Sequence, residues 1–332
     1  MRLLVTGGYG FIGSNFIRYI IEKYKDVEVV NVDKLSYGSN IENLSGISGE
    51  RYRFVKGDIA DQSLMRKLLG GVDAVVNFAA ETHVDRSIAN PYPFFRSNVE
   101  GVVSILEALR HNKKEVRMVQ ISTDEVYGEI SSGSCREGDR LNPSSPYAAS
   151  KAAADMLCLA YYRSFNLDVV IVRPTNNFGP YQFPEKLIPK TIIRAKLGLK
   201  VPIYGSGRNV RDWLYVSDTC EAIDLILKEG KAGEIYNLSA GNELENVEVV
   251  RRILRMMGKS EDLIEFVEDR PGHDLRYSLD STKMLRELGW RPKHAFEEAL
   301  RETVKWYVEN EWWWKPIATE KVLHPTPWKL KW

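Results

Sequence analysis

The sequence predicts an α/β protein, in which a doubly wound parallel sheet with helices on both faces is joined to a smaller α/β lobe. Three observations predict this fold. Short β-branched runs alternate with amphipathic stretches in the first half of the chain, and a glycine-rich turn directly follows the first run. After residue 174 the pattern loosens into loops that contain proline and glycine. Alternating strands and helices are typical of parallel sheets, because parallel neighbours need a crossover connection.

The predicted strands are short, as buried strands usually are. They are residues 3–6, 28–32, 53–55, 74–78, 118–122 and 169–173. The predicted helices are residues 15–24, 99–112, 188–197 and 296–309. We expect residues 1–175 to form one domain, to which a segment at about 212–240 returns, and residues 176–332 to form mainly the other.

Composition excludes several classes of protein. With 46 basic and 45 acidic residues among 332, the chain has no excess positive charge for a nucleic-acid partner. No apolar run reaches the ~18 residues that span a bilayer, and no signal-peptide pattern opens the chain, so we expect a cytoplasmic protein without a membrane partner. Three distant cysteines and five scattered histidines predict neither a disulfide framework nor a metal site.

The opening LLVTGGYGFIGSNF predicts a strand, a glycine turn and a helix, with Gly7, Gly10 and Gly13 at the spacing of a Rossmann-type dinucleotide site. The helix amides would face the pyrophosphate. Asp33 ends the next predicted strand twenty residues after Gly13, where a carboxylate can accept two hydrogen bonds from a ribose diol. This favours NAD over NADP, although Lys34 beside it could attract a 2′-phosphate.

Tyr147 and Lys151 stand as Y-A-A-S-K at the start of a predicted helix, and their i, i+4 spacing places them on one face. Half-ionising a phenol near pH 7 requires roughly 4 kcal/mol. One ammonium at ~4 Å contributes about that much at an effective dielectric constant of 20. We therefore expect Tyr147 to act as a base toward a sugar hydroxyl, with Lys151 stabilising the phenolate.

These motifs, together with Ser122 and Thr123, resemble the extended short-chain dehydrogenase/reductase superfamily over nearly the whole chain. Longer runs resemble its dTDP-glucose 4,6-dehydratase family. They are AAETHVDRSI at 79–88, TDEVYG at 123–128, RPTNNFGPYQFPEKLIP at 173–189, RDWLYV at 211–216 and DRPGHDLRY at 269–277.

The resemblance implies a three-stage reaction on a nucleotide sugar with one bound NAD. Tyr147 would take the C4 hydroxyl proton during oxidation, while Thr123 hydrogen-bonds the same oxygen. Glu125 would then remove the C5 proton and Asp124 would protonate the departing C6 hydroxyl, before hydride returns to C6. Adjacent carboxyls can divide such roles when their environments separate their pKa values.

The implied site residues fall into three sets. Catalytic residues would be Thr123, Asp124, Glu125, Tyr147 and Lys151. Cofactor-binding residues would be Gly7, Gly10, Phe11, Ile12, Gly13, Asp33, Lys34, Leu35, Ser36, Asp58, Ile59, Phe78, Ala79, Ala80, Thr82, Ser97, Tyr147, Lys151 and Asn177. Substrate-binding residues would be Thr82, Thr123, Asn176, Lys186, Leu187, Pro202, Tyr204, Arg211, Asn242, Asp269, Arg270 and His273.

Several alternatives stay open at this stage. A GDP-mannose 4,6-dehydratase or a UDP-glucuronate decarboxylase would share the first oxidation, and a non-catalytic NAD-binding scaffold would share only the fold. The resemblance also implies a homodimer that pairs helices near residues 92–112 and 147–165. The tail at 315–332 could be a disordered end or a docking strap, and its composition does not decide between them.

Overall fold

The structure is a computed structural model that describes residues 1–332 and contains twelve strands and twelve α-helices. The strands are β1 (Arg2–Thr6), β2 (Glu28–Asp33), β3 (Tyr52–Lys56), β4 (Ala74–Asn77), β5 (Arg117–Ile121), β6 (Val169–Pro174), β7 (Asn176–Phe178), β8 (Val201–Tyr204), β9 (Val210–Tyr215), β10 (Ile235–Leu238), β11 (Glu243–Glu245) and β12 (Ile264–Val267). The helices are α1 (Phe11–Lys23), α2 (Gln62–Leu69), α3 (Val84–Ala89), α4 (Tyr92–Phe95), α5 (Gly101–Arg110), α6 (Pro146–Phe165), α7 (Leu187–Lys196), α8 (Val216–Glu229), α9 (Asn246–Met256), α10 (Thr282–Leu288), α11 (Phe296–Glu309) and α12 (Glu311–Trp314).

Seven parallel strands form the central sheet in the order β10-β6-β5-β4-β1-β2-β3. Alternate side chains of β1 enter opposite cores. Leu3 and Val5 pack with α1 and α8, whereas Leu4 packs with α2, α5 and α6. Both faces of the sheet are therefore buried, and the predicted doubly wound fold is confirmed. The strand order reverses between β1 and β4, and open α/β sheets bind ligands at such a point.

Two predicted helix starts differ from the structure by more than one residue. Helix α1 begins at Phe11, earlier than the predicted residue 15, because Gly10 takes the extended N-cap conformation directly before it. The helix predicted from residue 99 is α5, which the π-helical turn Arg96–Glu100 joins to α4.

The second lobe has two small sheets, in the orders β11-β9-β7 and β12-β8. Helices α7, α9 and α11 enclose its largest core, which includes Phe178, Tyr307, Trp313 and Trp314. Helix α8 and strand β10 return to the first lobe, where β10 pairs with β6.

None of the helices combines the length and the apolar character needed to cross a bilayer. Cys135, Cys158 and Cys220 are buried and unpaired. Within residues 1–332, no three His, Cys, Asp or Glu side chains are grouped so as to hold a metal ion.

Candidate active site

A cleft opens at the carboxyl ends of the central strands, between the two lobes. It brings together 18 of the 19 predicted cofactor residues. They are Gly7, Gly10, Phe11, Ile12, Gly13, Asp33, Lys34, Ser36, Asp58, Ile59, Phe78, Ala79, Ala80, Thr82, Ser97, Tyr147, Lys151 and Asn177. Leu35 is the exception. It has a left-handed backbone (φ +58°) and packs against the core behind β2.

The glycine turn is shaped by close backbone contacts. A Cβ added at Gly7, where φ is +67°, would lie 2.7 Å from Cα of Ala79, and one at Gly13 would lie 2.5 Å from the carbonyl oxygen of Gly7. No side chain caps the N-terminus of α1, and its first turn carries no acidic residue. The free amides and positive end of this helix therefore suit a pyrophosphate, and the turn fits a dinucleotide.

We predict that Gly13→Ala destabilises the protein by about 1–3 kcal/mol and weakens NAD binding at least tenfold, because its Cβ meets backbone that cannot rotate away. Thermal unfolding and calorimetric titration with NAD would measure both effects. Gly138→Ala is the matched control, since an added Cβ there meets nothing within 4 Å. Equal stability and NAD affinity in the two variants would contradict the prediction.

Two backbone amides fix the carboxylate of Asp33 in a position where it could contact a ribose. Its carboxylate accepts hydrogen bonds from the backbone amides of Tyr9 (3.0 Å) and Leu35 (2.7 Å), which fix its orientation at the cleft wall. The amine of Lys34 is already bound to other side chains, because it donates to Oγ of Ser97 (2.6 Å) and pairs with Glu81 (3.5 Å). The geometry therefore favours NAD, as the sequence predicts.

Asp124 and Glu125 begin a 3-10 turn directly after β5, and both line the cleft. Thr123 is the N-cap of this turn and donates to Oδ1 of Asp124 (3.1 Å). Burial and the adjacent Glu125 charge raise the pKa of Asp124 to about 7. Burial also raises the pKa of Glu125, against the opposing effect of Arg270 and Arg211. The pair is therefore suited to one proton donor and one acceptor.

Tyr147 and Lys151 both face the cleft from the first turns of α6, as predicted. The amine of Lys151 donates to the carbonyl of Ile121 (2.5 Å), and burial lowers the pKa of Lys151 to about 8. Burial and the charge of Glu125 hold the pKa of Tyr147 above its usual value. Stabilisation of the phenolate by Lys151 together with the charge of the oxidised cofactor stays a prediction.

The predicted substrate residues divide into two groups. Four line the cleft itself, namely Thr82, Thr123, Asn176 and Lys186. The other eight lie outside the lining of this cleft: Leu187, Pro202, Tyr204, Arg211, Asn242, Asp269, Arg270 and His273.

Much of this second group is tied together by buried polar contacts. Asp85 accepts hydrogen bonds from the hydroxyl of Tyr204 (2.9 Å) and from Arg270 (2.8 Å), and His273 pairs with Asp269 (2.6 Å). Arg211 does not pair with the neighbouring Asp212 but donates to the carbonyl of Asp274 (2.9 Å). Arg211 and Arg270 remain close enough to influence Glu125, so a positive region adjoins the two carboxyls.

Comparison with known proteins agrees with this geometry. A family model described as GDP-mannose 4,6 dehydratase matches residues 4–303. A dTDP-glucose 4,6-dehydratase of Streptomyces niveus is 50% identical and covers 96% of each chain. The low-salt glycan biosynthesis protein Agl12 of Haloferax volcanii is also 50% identical, over 94% of this chain and all of its own.

A crystal structure of DesIV, a dTDP-glucose 4,6-dehydratase of Streptomyces venezuelae with NAD and dTDP bound, superposes with a TM-score of 0.93. It is 50% identical and covers 96% of this chain and all of DesIV. The chain belongs to the dTDP-glucose 4,6-dehydratase family. The resemblance predicted from the sequence motifs is confirmed.

Twelve residues that line the cleft of this family member were not predicted as site residues, and five of them are Tyr37, Thr175, Gln182, Phe183 and Glu185. Tyr37 directly follows the predicted stretch 33–36, and residues 182–185 lie within the run that contains Lys186, so position alone could have suggested them. Glu185 is buried, yet His83 and Lys186 hold its pKa below the usual value despite that burial.

The C-terminal tail packs as a strap against α7 and against Tyr204, one of the predicted substrate residues. Lys190 and Arg194 of α7 donate to the carbonyls of His324 (3.2 Å) and Leu323 (2.8 Å). Trp328 packs edge-on against Tyr204, with ring centroids 4.8 Å apart. Of the two interpretations left open by the sequence, the structure has the docked strap.

Proposed function

We propose that the protein is a dTDP-glucose 4,6-dehydratase, which converts dTDP-glucose to dTDP-4-keto-6-deoxyglucose and water. One observation carries this proposal: two adjacent carboxyls, the buried Asp124 and the half-buried Glu125, share a cleft with Tyr147 and the dinucleotide turn. An oxidation alone needs Tyr147, whereas an elimination also needs an acid and a base.

The glycine turn and the start of α1 would hold the pyrophosphate of NAD, and Asp33 would hold its adenosine ribose. When bound, NAD accepts a hydride from C4 of the sugar and later supplies it to C6. No external reductant is consumed, so the cofactor can stay in place throughout a turnover.

Oxidation requires loss of the C4 hydroxyl proton, and Tyr147 is placed to take it. The phenol is buried beside Thr123, whose hydroxyl would turn from Oδ1 of Asp124 to donate to the same sugar oxygen. Cofactor positive charge would favour the phenolate and offset the effect of burial.

Elimination follows because the new C4 ketone acidifies the C5 proton. Glu125 accepts that proton as a carboxylate, and Asp124 donates its proton to the departing C6 hydroxyl. The raised pKa of Asp124, about 7, keeps a large fraction of this side chain in the acid form near neutrality. Hydride return to C6 and proton return to C5 complete the product.

This division of roles predicts the pH dependence of kcat. Asp124 must be protonated, so turnover should fall as pH rises through about 7, where its pKa lies. Glu125 must be ionised, so turnover should also fall on the acid side. A bell-shaped profile from steady-state assays between pH 5 and 9 is expected, and a flat alkaline limb would contradict the role of Asp124.

The competing functions differ in what they require. A UDP-glucuronate decarboxylase does not need Asp124 as an acid. A non-catalytic NAD-binding scaffold does not need Tyr147, Asp124 or Glu125. A GDP-mannose 4,6-dehydratase would perform the same chemistry on another nucleotide sugar, so substrate tests must separate it.

The deciding experiment incubates the purified protein with dTDP-glucose in heavy water without reductant and analyses the product by mass spectrometry and NMR. Loss of one water with deuterium at C5 supports the proposal. Parallel incubations with GDP-mannose and UDP-glucuronate test the alternatives. Unchanged dTDP-glucose beside conversion of another sugar would overturn the substrate assignment.

We also propose a homodimer that pairs the faces of α4, α5 and α6. Tyr92 is 81% exposed on α4, where Phe95 is also exposed, and Met156 and Phe165 are exposed along α6. Such apolar clusters are typical of interaction sites. Light scattering should give twice the chain mass, and a monomer would overturn this proposal.

The unpaired buried cysteines are consistent with a cytoplasmic location, which cell fractionation would test.

A further inference from the structure

Thr175 lies immediately after β6, behind the catalytic carboxyl of Asp124. It is 3% exposed, and its Oγ1 is 3.1 Å from Oδ2 of Asp124 and 3.0 Å from the carbonyl oxygen of Asp212. Its backbone amide donates to the carbonyl of Leu238 (3.0 Å), which fixes it at the edge of β10. Thr175 is therefore a rigid, buried hydroxyl between two oxygen partners.

Because the hydroxyl of Thr175 has a single proton, it can donate to only one of its two oxygen partners. A hydroxyl donates one hydrogen bond and accepts others, whereas a carbonyl oxygen only accepts. If Thr175 donates to Asp212, its contact with Asp124 requires Asp124 to be the donor. In the reverse arrangement, Thr175 would donate its hydrogen bond to Asp124. The carbonyl of Asp212 would then receive no hydrogen bond from Thr175.

The surroundings favour the first arrangement. Asp212 is fixed in β9, which pairs with β11, and its carboxylate accepts from Ser239 (2.7 Å) and the amide of Asn242 (2.7 Å). Its carbonyl is therefore not free to turn away. On the other side, Thr123 accepts from the amide of Glu125 (3.4 Å) and donates to Oδ1 of Asp124, which leaves Oδ2 to carry a proton.

The charged groups around Asp124 also favour its protonated form. Glu125 is the adjacent acid, and a second ionised carboxylate beside it in a buried cleft is unfavourable. Arg211 opposes this effect, and Tyr147 and Cys135 are the other titratable groups close to Asp124. A neutral Asp124 relieves the repulsion without requiring any group to move.

We propose that Thr175 is a positioning residue that accepts a hydrogen bond from the protonated Oδ2 of Asp124 and so keeps this side chain in the acid form until elimination. The inference rests on the proposed dehydratase function. A C6 hydroxyl is the same kind of acceptor as Thr175 and can replace it. The O–H bond of Asp124 then breaks as a new one forms to the C6 oxygen, and the C6–O bond breaks with its electron pair as water leaves. The C5 proton passes to Glu125, and its electron pair forms the C5–C6 double bond.

The test compares Thr175→Val, which removes the hydroxyl at nearly constant shape, with Thr175→Ser, which keeps it. Loss of an acceptor for the acid proton should shift the alkaline limb of kcat to lower pH by roughly half to one unit in Thr175→Val. At pH 8 its kcat should fall about three- to tenfold, and reduced cofactor should accumulate at 340 nm because elimination becomes limiting. Thr175→Ser should remain within about twofold of the parent protein.

Two results would overturn the proposal. If Thr175 donates to an ionised Asp124, its loss in Thr175→Val raises the pKa of Asp124, and the alkaline limb moves to higher pH. The added methyl group acts in the same direction, because an apolar neighbour disfavours the charged carboxylate. If Thr175 is merely structural, the valine and serine variants lose stability without moving the pH profile.

A measurement on the parent protein covers the case in which Thr175→Val does not fold. Infrared spectroscopy at pH 6 should detect a protonated-carboxyl band that Asp124→Asn lacks, and absence of this band overturns the proposal. Failure of the parent protein to dehydrate dTDP-glucose would instead count against the proposed function. Normal dehydration with an unshifted Thr175→Val profile would count only against the role of Thr175.

Discussion

Replacing Tyr147 with phenylalanine is expected to lower kcat by about 10²–10⁴-fold, the usual contribution of a positioned acid–base group. The ring should stay in place, since it packs edge-on against Phe94 (6.3 Å) and the amide of residue 147 donates to Ser87 (3.2 Å). Without the phenol oxygen, no group is placed to take the C4 hydroxyl proton. Stopped-flow absorbance at 340 nm should therefore detect no reduced cofactor with dTDP-glucose.

Tyr161→Phe is the matched control for this variant. Tyr161 lies on the same helix, and its hydroxyl donates to Glu107 (2.6 Å) away from the cleft. The control should retain full activity and show normal cofactor reduction. Near-normal turnover of Tyr147→Phe would mean that another group removes the proton.

Replacing Asp124 with asparagine should block elimination while leaving oxidation intact. The asparagine amide has nearly the shape of the acid and can still contact Thr123 and Thr175, but it has no acidic proton for the C6 hydroxyl. We expect product formation to fall by about 10²–10⁴-fold. The diagnostic result is accumulation of reduced cofactor and of a 4-keto sugar that retains its C6 hydroxyl.

Quenched-flow mass spectrometry would detect that intermediate, and the exposed Asp139→Asn would serve as the control. Loss of both oxidation and elimination in Asp124→Asn would assign Asp124 a role before the elimination step. The two catalytic variants thus stop the reaction at different stages, which separates the functions of Tyr147 and Asp124.

Much of the candidate site is readable from the sequence because its parts are local. The glycine turn, Asp33 and the Tyr147–Lys151 spacing each lie within one strand–turn–helix unit or one helix, and local sequence determines such units. The positions of Asp124 and Glu125 follow from their place directly after a buried strand. The cleft brings these separate motifs together because the carboxyl ends of parallel strands share one edge.

Contacts between distant segments were not readable in the same way. The strap that places Trp328 on Tyr204 joins residues 124 positions apart, and nothing local to either residue specifies the other. The charged cluster around Asp85 likewise draws on segments near residues 204 and 270.

The fold class, the family, NAD as the cofactor and the acid and base candidates could be predicted from the sequence, because each depends on residue types at short spacing. The electrostatics of those residues depend on the folded chain. Burial and the charge of Glu125 raise the pKa of Tyr147 in the protein alone, and the amine of Lys151 is bound to the carbonyl of Ile121. The tertiary structure also placed Thr175 between Asp124 and Asp212, residues from separate strands and turns. Which protonation state a buried group adopts depends on its surroundings from the whole chain, and only folding brings those together.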